Sequence, residues 1–450
     1  MKTLFFIPIE VKARELDSRL LIALGLVAKG ATVVIGEKSQ VNRFAQRYEF
    51  GTYLAKSMSA NDLKWFTILK QHGHRIAVLD EEAIIHQNKD AHVRSRFDAT
   101  TLDLVNLSLS WGKYDFCVAN KYFPQYQEKF CISGNPRMDL LRHEMQSFFA
   151  QQVDSIREQY SRYIIVPSSF AMCNHYTEPG ARIAWRKKMG MIKTSNDISF
   201  YEEYANHFTN IFEQFLNDIP KILKKFGDIN IIIRPHPSEN RYVWEERFKN
   251  EPNIFVVSQG SVVPWLIASD LVIHNGCTTA IEAFLVGKGV ISYRPFIKEE
   301  YDLKLPNSIS HQVTSYQELE ESISDFLSNN IPDQYTINGQ KILDRYLSSY
   351  KEGAYAYENI VNQLIGISET SSRKRVFRSL LDGFEERVRH MTSRVGERGN
   401  YSKQKFNSLT RTEIEERINC YPICAIQDSN IEISKAVENV FILKCLAKRD

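Results

Sequence analysis

Two stretches decide the fold of this chain: residues 230–238, NIIIRPHPS, and residues 270–283, DLVIHNGCTTAIEA. Each begins with a short apolar run of the length of a buried β-strand, and each run ends in polar residues that lead towards a helix. In an open α/β sheet, ligands bind at the carboxyl ends of the strands, where helix N-termini offer free backbone N–H groups. The two stretches therefore predict an α/β sheet with a phosphate or nucleotide site.

Length and composition place the chain among folded proteins with more than one core. Its 450 residues are 43% hydrophobic and 25% charged, which is enough apolar material for two domains and excludes a disordered or fibrous chain. The net charge of +3 is too small to indicate nucleic acid as a partner. We therefore expect two globular domains and no nucleic-acid binding.

Targeting signals and cysteine usage favour a cytoplasmic location. The first apolar run is broken by Pro8 and closed by Glu10, which indicates a buried strand and not a signal peptide. No window reaches the roughly 18 apolar residues that a membrane helix needs. Seven cysteines without regular spacing fit a reducing compartment, and Cys420 and Cys424 lack the second pair that a zinc site requires. We expect a cytoplasmic protein that could lie peripherally on the inner face of the cell membrane.

Apolar runs alternate with helical patterns along most of the chain, which predicts βαβ units and parallel sheets with right-handed crossovers. The predicted strands are residues 4–9, 31–35, 75–79, 114–119, 163–166, 230–233, 254–257, 270–273 and 290–293. We expect a Rossmann-like domain over residues 1–150, a second one over 151–365, and a basic amphipathic helical extension over 366–450.

Motifs at the strand ends resemble those of a known family. They are Ile7-Pro8-Ile9-Glu10 with Arg14-Glu15-Leu16-Asp17-Ser18-Arg19, Leu79-Asp80-Glu81-Glu82, Gly134-Asn135-Pro136-Arg137-Met138-Asp139, Arg234-Pro235-His236-Pro237 and His274-Asn275-Gly276-Cys277-Thr278-Thr279. In this order, they resemble bacterial surface-carbohydrate biosynthesis glycosyltransferases of the GT-B architecture, over roughly residues 1–330. The resemblance implies two Rossmann-like, doubly wound domains that face a cleft. The Arg-x-His-Pro element is also similar to that of CDP-glycerol polymerising transferases and of transferases that use CMP-linked ulosonic acids, so the donor stays open.

A nucleotide-sugar donor releases a nucleoside phosphate, so its enzyme must stabilise charge that grows on phosphate oxygens. Arg234 and His236 are candidate side-chain donors to those oxygens, and the turn at Gly276 could bring backbone N–H and hydroxyl groups close to them. The resemblance adds Glu282 as the acceptor for the ribose hydroxyls. The candidate donor-binding residues are Arg234, His236, Ser168, Ser169, Asn174, His274, Asn275, Gly276, Thr278, Thr279 and Glu282.

Each of these candidates has a structural alternative. His274 could be a hydrogen-bonded core histidine, and Thr278 and Thr279 could serve only as helix caps. Glu282 could be an ordinary exposed helix residue. A charged strand end that bears a histidine inside an apolar sheet nevertheless favours function at His236.

The first domain is expected to supply the catalytic carboxylates. Direct attack by an acceptor hydroxyl needs a base, and a carboxylate could also stabilise a positively charged, sugar-like transition state. The catalytic candidates are Glu10, Glu15 and Asp17, together with His236. For Glu15 and Asp17, helix capping and compensation of the helix dipole are equally good interpretations.

Four further residues are candidates for the cleft: Arg14, Glu81, Glu82 and Arg137. The acidic strand end could instead be a solvated turn. Arg137 could touch the donor phosphate or brace Asp139 in a salt bridge.

The expected function is that of a glycosyltransferase of capsule or O-antigen biosynthesis. It would transfer a sugar, such as the ulosonic acid Kdo from a CMP donor, to a glycan or lipid-linked glycan. No tightly bound cofactor is expected, and the lack of an Asp-x-Asp at a strand end favours a metal-independent mechanism. The alternatives are a CDP-polyol phosphotransferase, a sugar-nucleotide epimerase, and a non-catalytic scaffold that binds nucleotide or glycan. The basic amphipathic pattern of residues 373–390 could contact a membrane surface or pack on a partner protein.

Overall fold

A computed structural model of the chain describes residues 3–83, 93, 95–177, 183–184, 186–187, 192, 194–330, 333–369, 405–423 and 430–445. The described residues form two compact units. Unit 1 contains those up to Phe148 and those from Asp344 onwards, and unit 2 contains those from Phe149 to Leu343. Residues 373–390 lie outside the described residues, so the predicted membrane or partner contact stays a prediction.

Unit 1 is built on a parallel sheet whose strands are buried on both faces, as apolar runs such as LFFIPI require. Its first strands are β1 (Leu4–Ile9), β2 (Thr32–Glu37), β3 (Thr52–Ala55), β4 (Arg75–Leu79), β5 (Leu107–Ser110) and β6 (Phe130–Ile132). The helices between them are α1 (Lys12–Ala28), α2 (Lys38–Ala45), α3 (Leu63–Gln71), α4 (Ala99–Leu104), α5 (Lys113–Tyr122) and α6 (Pro136–Asp139). The strands lie in the order β2-β1-β3-β4-β5-β6.

One strand predicted in this unit is wrong. Residues 114–119 form the middle of α5, and the strand before it is β5. The segment is short and apolar, which fits either element, but its buried residues include Val118 and Ala119 and the turn at Gly112 starts a helix. The helix therefore follows β5 as the crossover to β6.

Unit 2 has a sheet of six parallel strands. They are β7 (Tyr163–Pro167), β8 (Asn230–Arg234), β9 (Ile254–Val256), β10 (Leu271–His274), β11 (Gly289–Tyr293) and β12 (His311–Val313). The helices are α7 (Ala150–Tyr160), α8 (Ser195–Lys225), α9 (Arg241–Arg247), α10 (Val263–Ala268), α11 (Thr279–Leu285), α12 (Lys304–Ser308), α13 (Tyr316–Leu327) and α14 (Asp333–Tyr346). The five strands predicted in this half are confirmed to within two residues at each end.

The strand order of unit 2 is β9-β8-β7-β10-β11-β12, the doubly wound order of a Rossmann sheet. The chain builds outwards from β7 on one side and then returns to β10 on the other. The order therefore reverses between β7 and β10, which is where such sheets bind ligands. An aromatic core of Phe170, Phe212, Phe215 and Trp244 packs on one face of the sheet and fixes the loop after β7.

The chain returns to unit 1 through α15 (Ala356–Glu369), whereas we expected the second domain to continue to residue 365. The carboxylate of Asp139 accepts the N–H groups of Ala356 and Tyr357, both at 2.8 Å, and so caps this helix. An added Cβ at Gly25 would stand 2.8 Å from Val361, so glycine lets α1 and α15 pack closely.

The described C-terminal residues extend the first sheet. They form α16 (Arg411–Cys420) and an antiparallel hairpin of β13 (Ile431–Val437) and β14 (Val440–Cys445). β14 pairs antiparallel with β2, so the sheet of unit 1 has eight strands. We expected a helical extension here, and the hairpin was not predicted.

Candidate functional site

Three loops meet at the carboxyl edge of the sheet of unit 2. They follow β7, β8 and β10, which are neighbours in the sheet. The amide side chain of Asn275, after β10, accepts the N–H of Ser169 at 3.0 Å and donates to the carbonyl of Ser169 at 3.3 Å. These two hydrogen bonds join the chain segments that follow β7 and β10, at the point where the strand order reverses.

His274 shapes the turn that follows β10. It is fully buried, and its Nδ1 accepts the N–H groups of Gly276 and Cys277 at 2.9 and 3.2 Å. Because Nδ1 is an acceptor, the neutral ring carries its proton on Nε2, which lies 2.9 Å from the hydroxyl of Ser310. Burial lowers the pKa of His274 to about 3, so the ring stays neutral.

These contacts favour the structural interpretation of His274. They also engage the N–H of Gly276, which we expected to face a phosphate. Gly276 has a φ of +91°, a conformation that favours glycine, and it turns the chain into α11. The histidine and the glycine thus preorganise the turn, and contact of either with a ligand stays a prediction.

Thr278 and Thr279 lie at the exposed end of this turn. Thr278 is exposed, and it makes no side-chain cap of α11. Thr279 is half-buried, and its hydroxyl accepts from the Cys277 thiol at 3.3 Å. Glu282, one turn later, is half-buried. Thr278 thus occupies the N-cap position without a side-chain cap, and binding by these residues stays a prediction.

Arg234 ends β8 and is directed into the unit. Its guanidinium donates to the carbonyls of Gln259 and Gly260 at 3.0 to 3.2 Å and lies 5.2 Å above the ring of Trp265. Only 8% of the residue is exposed, and burial lowers its pKa to about 10. Arg234 thus holds the loop at 259–260, and its contact with phosphate stays a prediction.

Glu239 is the residue that joins the loops after β7 and β8, and sequence reasoning missed it. Its buried carboxylate accepts the Ser168 hydroxyl and the Phe170 N–H, both at 2.8 Å. It also accepts the His236 N–H at 3.2 Å and the Trp244 ring N–H at 3.1 Å. Burial raises its pKa and these donors oppose the rise. In the sequence, Glu239 only precedes Asn240, the N-cap of α9, and no local pattern indicated a buried role.

His236 and Asn174 complete this edge. Asn174 is buried, and its amide donates to the carbonyl of Asn240 at 3.2 Å, so it braces the loop. His236 is exposed, and its Nδ1 accepts the N–H of Ser238 at 3.1 Å. The proton of the neutral ring therefore lies on Nε2, the nitrogen farther from the backbone. His236, Ser169 and Thr278 follow three neighbouring strands along one edge of the sheet.

A second cluster lies at the carboxyl edge of unit 1. Glu10 follows β1, and its carboxylate contacts three ammonium groups: Lys38 at 3.1 Å, Lys56 at 2.9 Å and Lys405 at 3.0 Å. Burial alone would raise the pKa of Glu10, but the lysines hold it well below its usual range. A carboxylate so stabilised is a weak base.

The other two predicted catalytic carboxylates make structural contacts. Glu15 is fully buried and accepts the N–H of Glu10 at 2.7 Å, so it holds the turn between β1 and α1. Asp17 accepts from Arg417 of α16 at 2.7 Å. Neither contact is a side-chain cap of α1, and a catalytic role for either residue stays a prediction.

At the acidic end of β4, Asp80 and Glu81 are buried in arginine pairs, whereas Glu82 lies in an exposed turn. Asp80 and Arg96 form a bidentate salt bridge. Glu81 and Arg19 form a buried pair at 2.8 Å. Glu82 lies 3.6 Å from Arg14 and 3.5 Å from Arg96.

The carboxylate of Asp139 caps α15, so its hydrogen bonds do not depend on Arg137. The Arg137 guanidinium lies 5.8 Å from the ring of Trp111, which follows β5. The Gly-Asn-Pro-Arg-Met-Asp motif thus serves largely to dock the returning helix. Ligand binding by Arg137 stays a prediction.

No protein-family model and no curated protein matches the chain. Among solved structures, it is similar to the wall teichoic acid polymerase TagF soaked with CDPG, with a TM-score of 0.54 and 12% identity over 83% of this chain and 90% of that one. It is similar to the UDP-GlcNAc 2-epimerase of Methanocaldococcus jannaschii in complex with UDP-GlcNAc and UDP, with a TM-score of 0.52 and 12% identity over 81% and 100% of the chains. It is also similar to a putative UDP-N-acetylglucosamine 2-epimerase from Listeria monocytogenes, with a TM-score of 0.50 and 12% identity over 84% and 99%.

At these identities the likeness establishes the fold. It confirms the expected class, an α/β protein with two parallel-sheet domains of the GT-B type. Among the helices that the structure describes, none combines the length and hydropathy needed to cross a bilayer.

Proposed function

We propose that this chain is a glycosyltransferase of surface-polysaccharide biosynthesis that binds a nucleotide-linked donor at the carboxyl edge of unit 2. The observation that carries the proposal is the preorganised turn at the reversal of the strand order. There, a buried neutral His274 fixes the positive-φ Gly276, and Asn275 ties the turn to Ser169. Rossmann sheets bind nucleotides at this position.

In this proposal, the donor is contacted by exposed and half-buried residues of this edge. His236 would donate from Nε2 to a phosphate oxygen, and Thr278 and Thr279 would donate hydroxyl hydrogens. Glu282 would accept the ribose hydroxyls. Arg234 and Glu239 would act as positioning residues, because each holds a loop of the edge through buried hydrogen bonds.

The donor is proposed to be a CMP-linked sugar such as an ulosonic acid, which would be transferred without metal to a glycan or lipid-linked glycan. The principal alternative is a CDP-polyol phosphotransferase, which the similarity to a polymerase structure soaked with CDPG supports. The similarity to two epimerase structures supports testing a third activity, in which the donor changes without an acceptor.

Nucleotide binding is the first test. The full chain is titrated with CMP, CDP, UDP and GDP while its thermal unfolding is followed. A nucleotide at about 100 times its dissociation constant should stabilise the chain by about 2.7 kcal/mol. His236→Ala should abolish the shift and keep the unfolding temperature of the free protein, since the side chain is exposed. His72→Ala, in unit 1, is the matched control and should keep the shift.

The reaction products distinguish the candidate activities from one another. A sugar transferred without phosphorus identifies the glycosyltransferase, and phosphorus retained in the product identifies the phosphotransferase. Conversion of the donor without an acceptor identifies an epimerase. Nucleotide binding without turnover in the presence of glycan acceptors would favour the non-catalytic scaffold, and no binding of any nucleotide would refute the site.

A further inference from the structure

The carboxyl edge of unit 1 has its own reversal of strand order. β2 and β3 flank β1 on opposite sides, so the crevice of this sheet opens between β1 and β3. Glu10 follows β1 and Lys56 follows β3, and the two side chains meet across the crevice at 2.9 Å. The cluster therefore occupies the position where this kind of sheet binds ligands.

The cluster has an excess of positive charge. Lys38 and Lys56 share one carboxylate oxygen of Glu10, and Lys405 contacts the other. One carboxylate cannot neutralise three ammonium groups, so these four side chains together carry more positive than negative charge. The exposed fractions of the lysine side chains are 34%, 20% and 32%, which leaves the group open to solvent.

The neighbouring carboxylates are directed to other partners. Glu15 accepts the Glu10 N–H and pairs with Arg14 at 3.3 Å. Glu37 accepts from Ser39 at 2.9 Å and from Asn439 at 3.3 Å. Neither approaches the lysines closely enough to be among their ion pairs.

We propose that Lys38, Lys56 and Lys405 form a binding site for a phosphate group, which Glu10 occupies with its carboxylate when no ligand is bound. An ammonium ion binds phosphate as a point charge with rotatable donors, so the lysines can turn from Glu10 to a ligand. A phosphate offers more oxygens than a carboxylate, and its second charge matches the excess. The site goes beyond the proposed function and does not depend on the nucleotide.

The role of Glu10 sets the sign of the test. If the carboxylate competes with phosphate, Glu10→Gln should tighten binding of inorganic pyrophosphate to the full chain by about tenfold in calorimetric titration, because the competitor loses its charge. Lys56→Met should weaken binding by about tenfold for the loss of one charge-assisted contact. Lys64→Met, an exposed lysine of α3 in the same unit, should leave it unchanged. Weaker or unchanged binding in Glu10→Gln would overturn the proposal.

A local readout separates this site from unit 2, which could also take pyrophosphate. The rate at which an N-hydroxysuccinimide ester acylates each lysine is measured by mass spectrometry on the wild-type chain. Pyrophosphate should protect Lys38 and Lys56 and leave Lys249, an exposed lysine of unit 2 paired with Glu246, unchanged. This measurement needs no substitution, so a variant that fails to fold does not affect it.

The source of the phosphate is resolved by repeating the acylation with vesicles of phosphatidylglycerol in phosphatidylcholine. Protection by pyrophosphate assigns a soluble phosphate ester, and protection by vesicles alone assigns a lipid headgroup. Protection by neither overturns the site. Failure of the proposed nucleotide site would instead appear as loss of nucleotide binding while Lys38 and Lys56 remain protected by pyrophosphate.

Discussion

Substituting His274 by asparagine should change how the stability of unit 2 depends on pH. In the folded chain, burial lowers the pKa of His274 to about 3, whereas an unfolded histidine titrates near 6.5. As the pH falls below 6.5, the unfolded state takes up a proton that the folded state refuses. Protonation therefore lowers the free energy of the unfolded state, and folding stability is lost progressively from pH 6.5 down to about 3.

The size of the effect follows from the width of this window. The loss is about 1.4 kcal/mol for each pH unit, or about 1.4 kcal/mol at pH 5.5 and about 2.7 kcal/mol at pH 4.5. His274→Asn cannot titrate, but its side-chain oxygen can still accept the N–H of Gly276 in place of Nδ1. The free-energy difference between wild type and variant should therefore shift by these amounts in favour of the variant.

The assay is native-state hydrogen exchange of peptides from β10 and the turn, read by mass spectrometry at pH 7.5, 6.5, 5.5 and 4.5. Comparing both proteins at the same pH cancels the intrinsic exchange rate and the titration of every other group. A constant difference between wild type and His274→Asn across this range would refute the neutral buried histidine. His72→Asn, in unit 1, is the control and should leave these peptides unchanged.

Three further substitutions test the other contacts. Asp115→Asn tests a pH effect of opposite sign to that of His274, because burial and Asp80 raise the pKa of Asp115 to about 7. In urea titrations, the wild type should therefore lose stability relative to the variant as the pH rises from about 4 to 7. A wild type that becomes more stable relative to the variant over this range would contradict the prediction. Glu239→Gln should lower the free energy of unfolding in urea titrations by about 1.5–3 kcal/mol, because its amide group faces N–H donors, and an unchanged free energy of unfolding would refute the proposed joining of the loops. Asp139→Ala should cost about 1–2 kcal/mol through loss of the α15 cap, and Asp139→Asn should cost less because it keeps one acceptor; equal losses would contradict capping.

The sequence predicted the sheet of unit 2 because its strands are local signals. The runs that form β8 and β10 are short, apolar and closed by polar residues, so each can be read without its neighbours. The hairpin of β13 and β14 gave no such signal, because it is specified by pairing with β2, some 400 residues earlier in the chain. Long-range pairing has no local pattern.

For the candidate sites, the sequence identified polar residues at strand ends but not their partners. Arg234 looked like a phosphate ligand because charge at a strand end is unusual, yet its guanidinium is engaged by carbonyls 25 residues away. Glu239 was not a candidate, yet it accepts four hydrogen bonds inside the unit. Residue type and position predict where polar groups gather, and only packing decides which of them remain exposed to a ligand.

The two kinds of cation at the edge of unit 1 support this division between structure and binding. Asp80 and Glu81 pair with Arg96 and Arg19, whose planar guanidinium groups fix the geometry of a carboxylate. Glu10 alone is surrounded by lysines. A lysine ammonium has no fixed fork, keeps more of its hydration, and can exchange one anion for another at little geometric cost. The choice of lysine at this one carboxylate therefore argues for an exchangeable anion there, and the choice of arginine at its neighbours argues for permanent structural pairs.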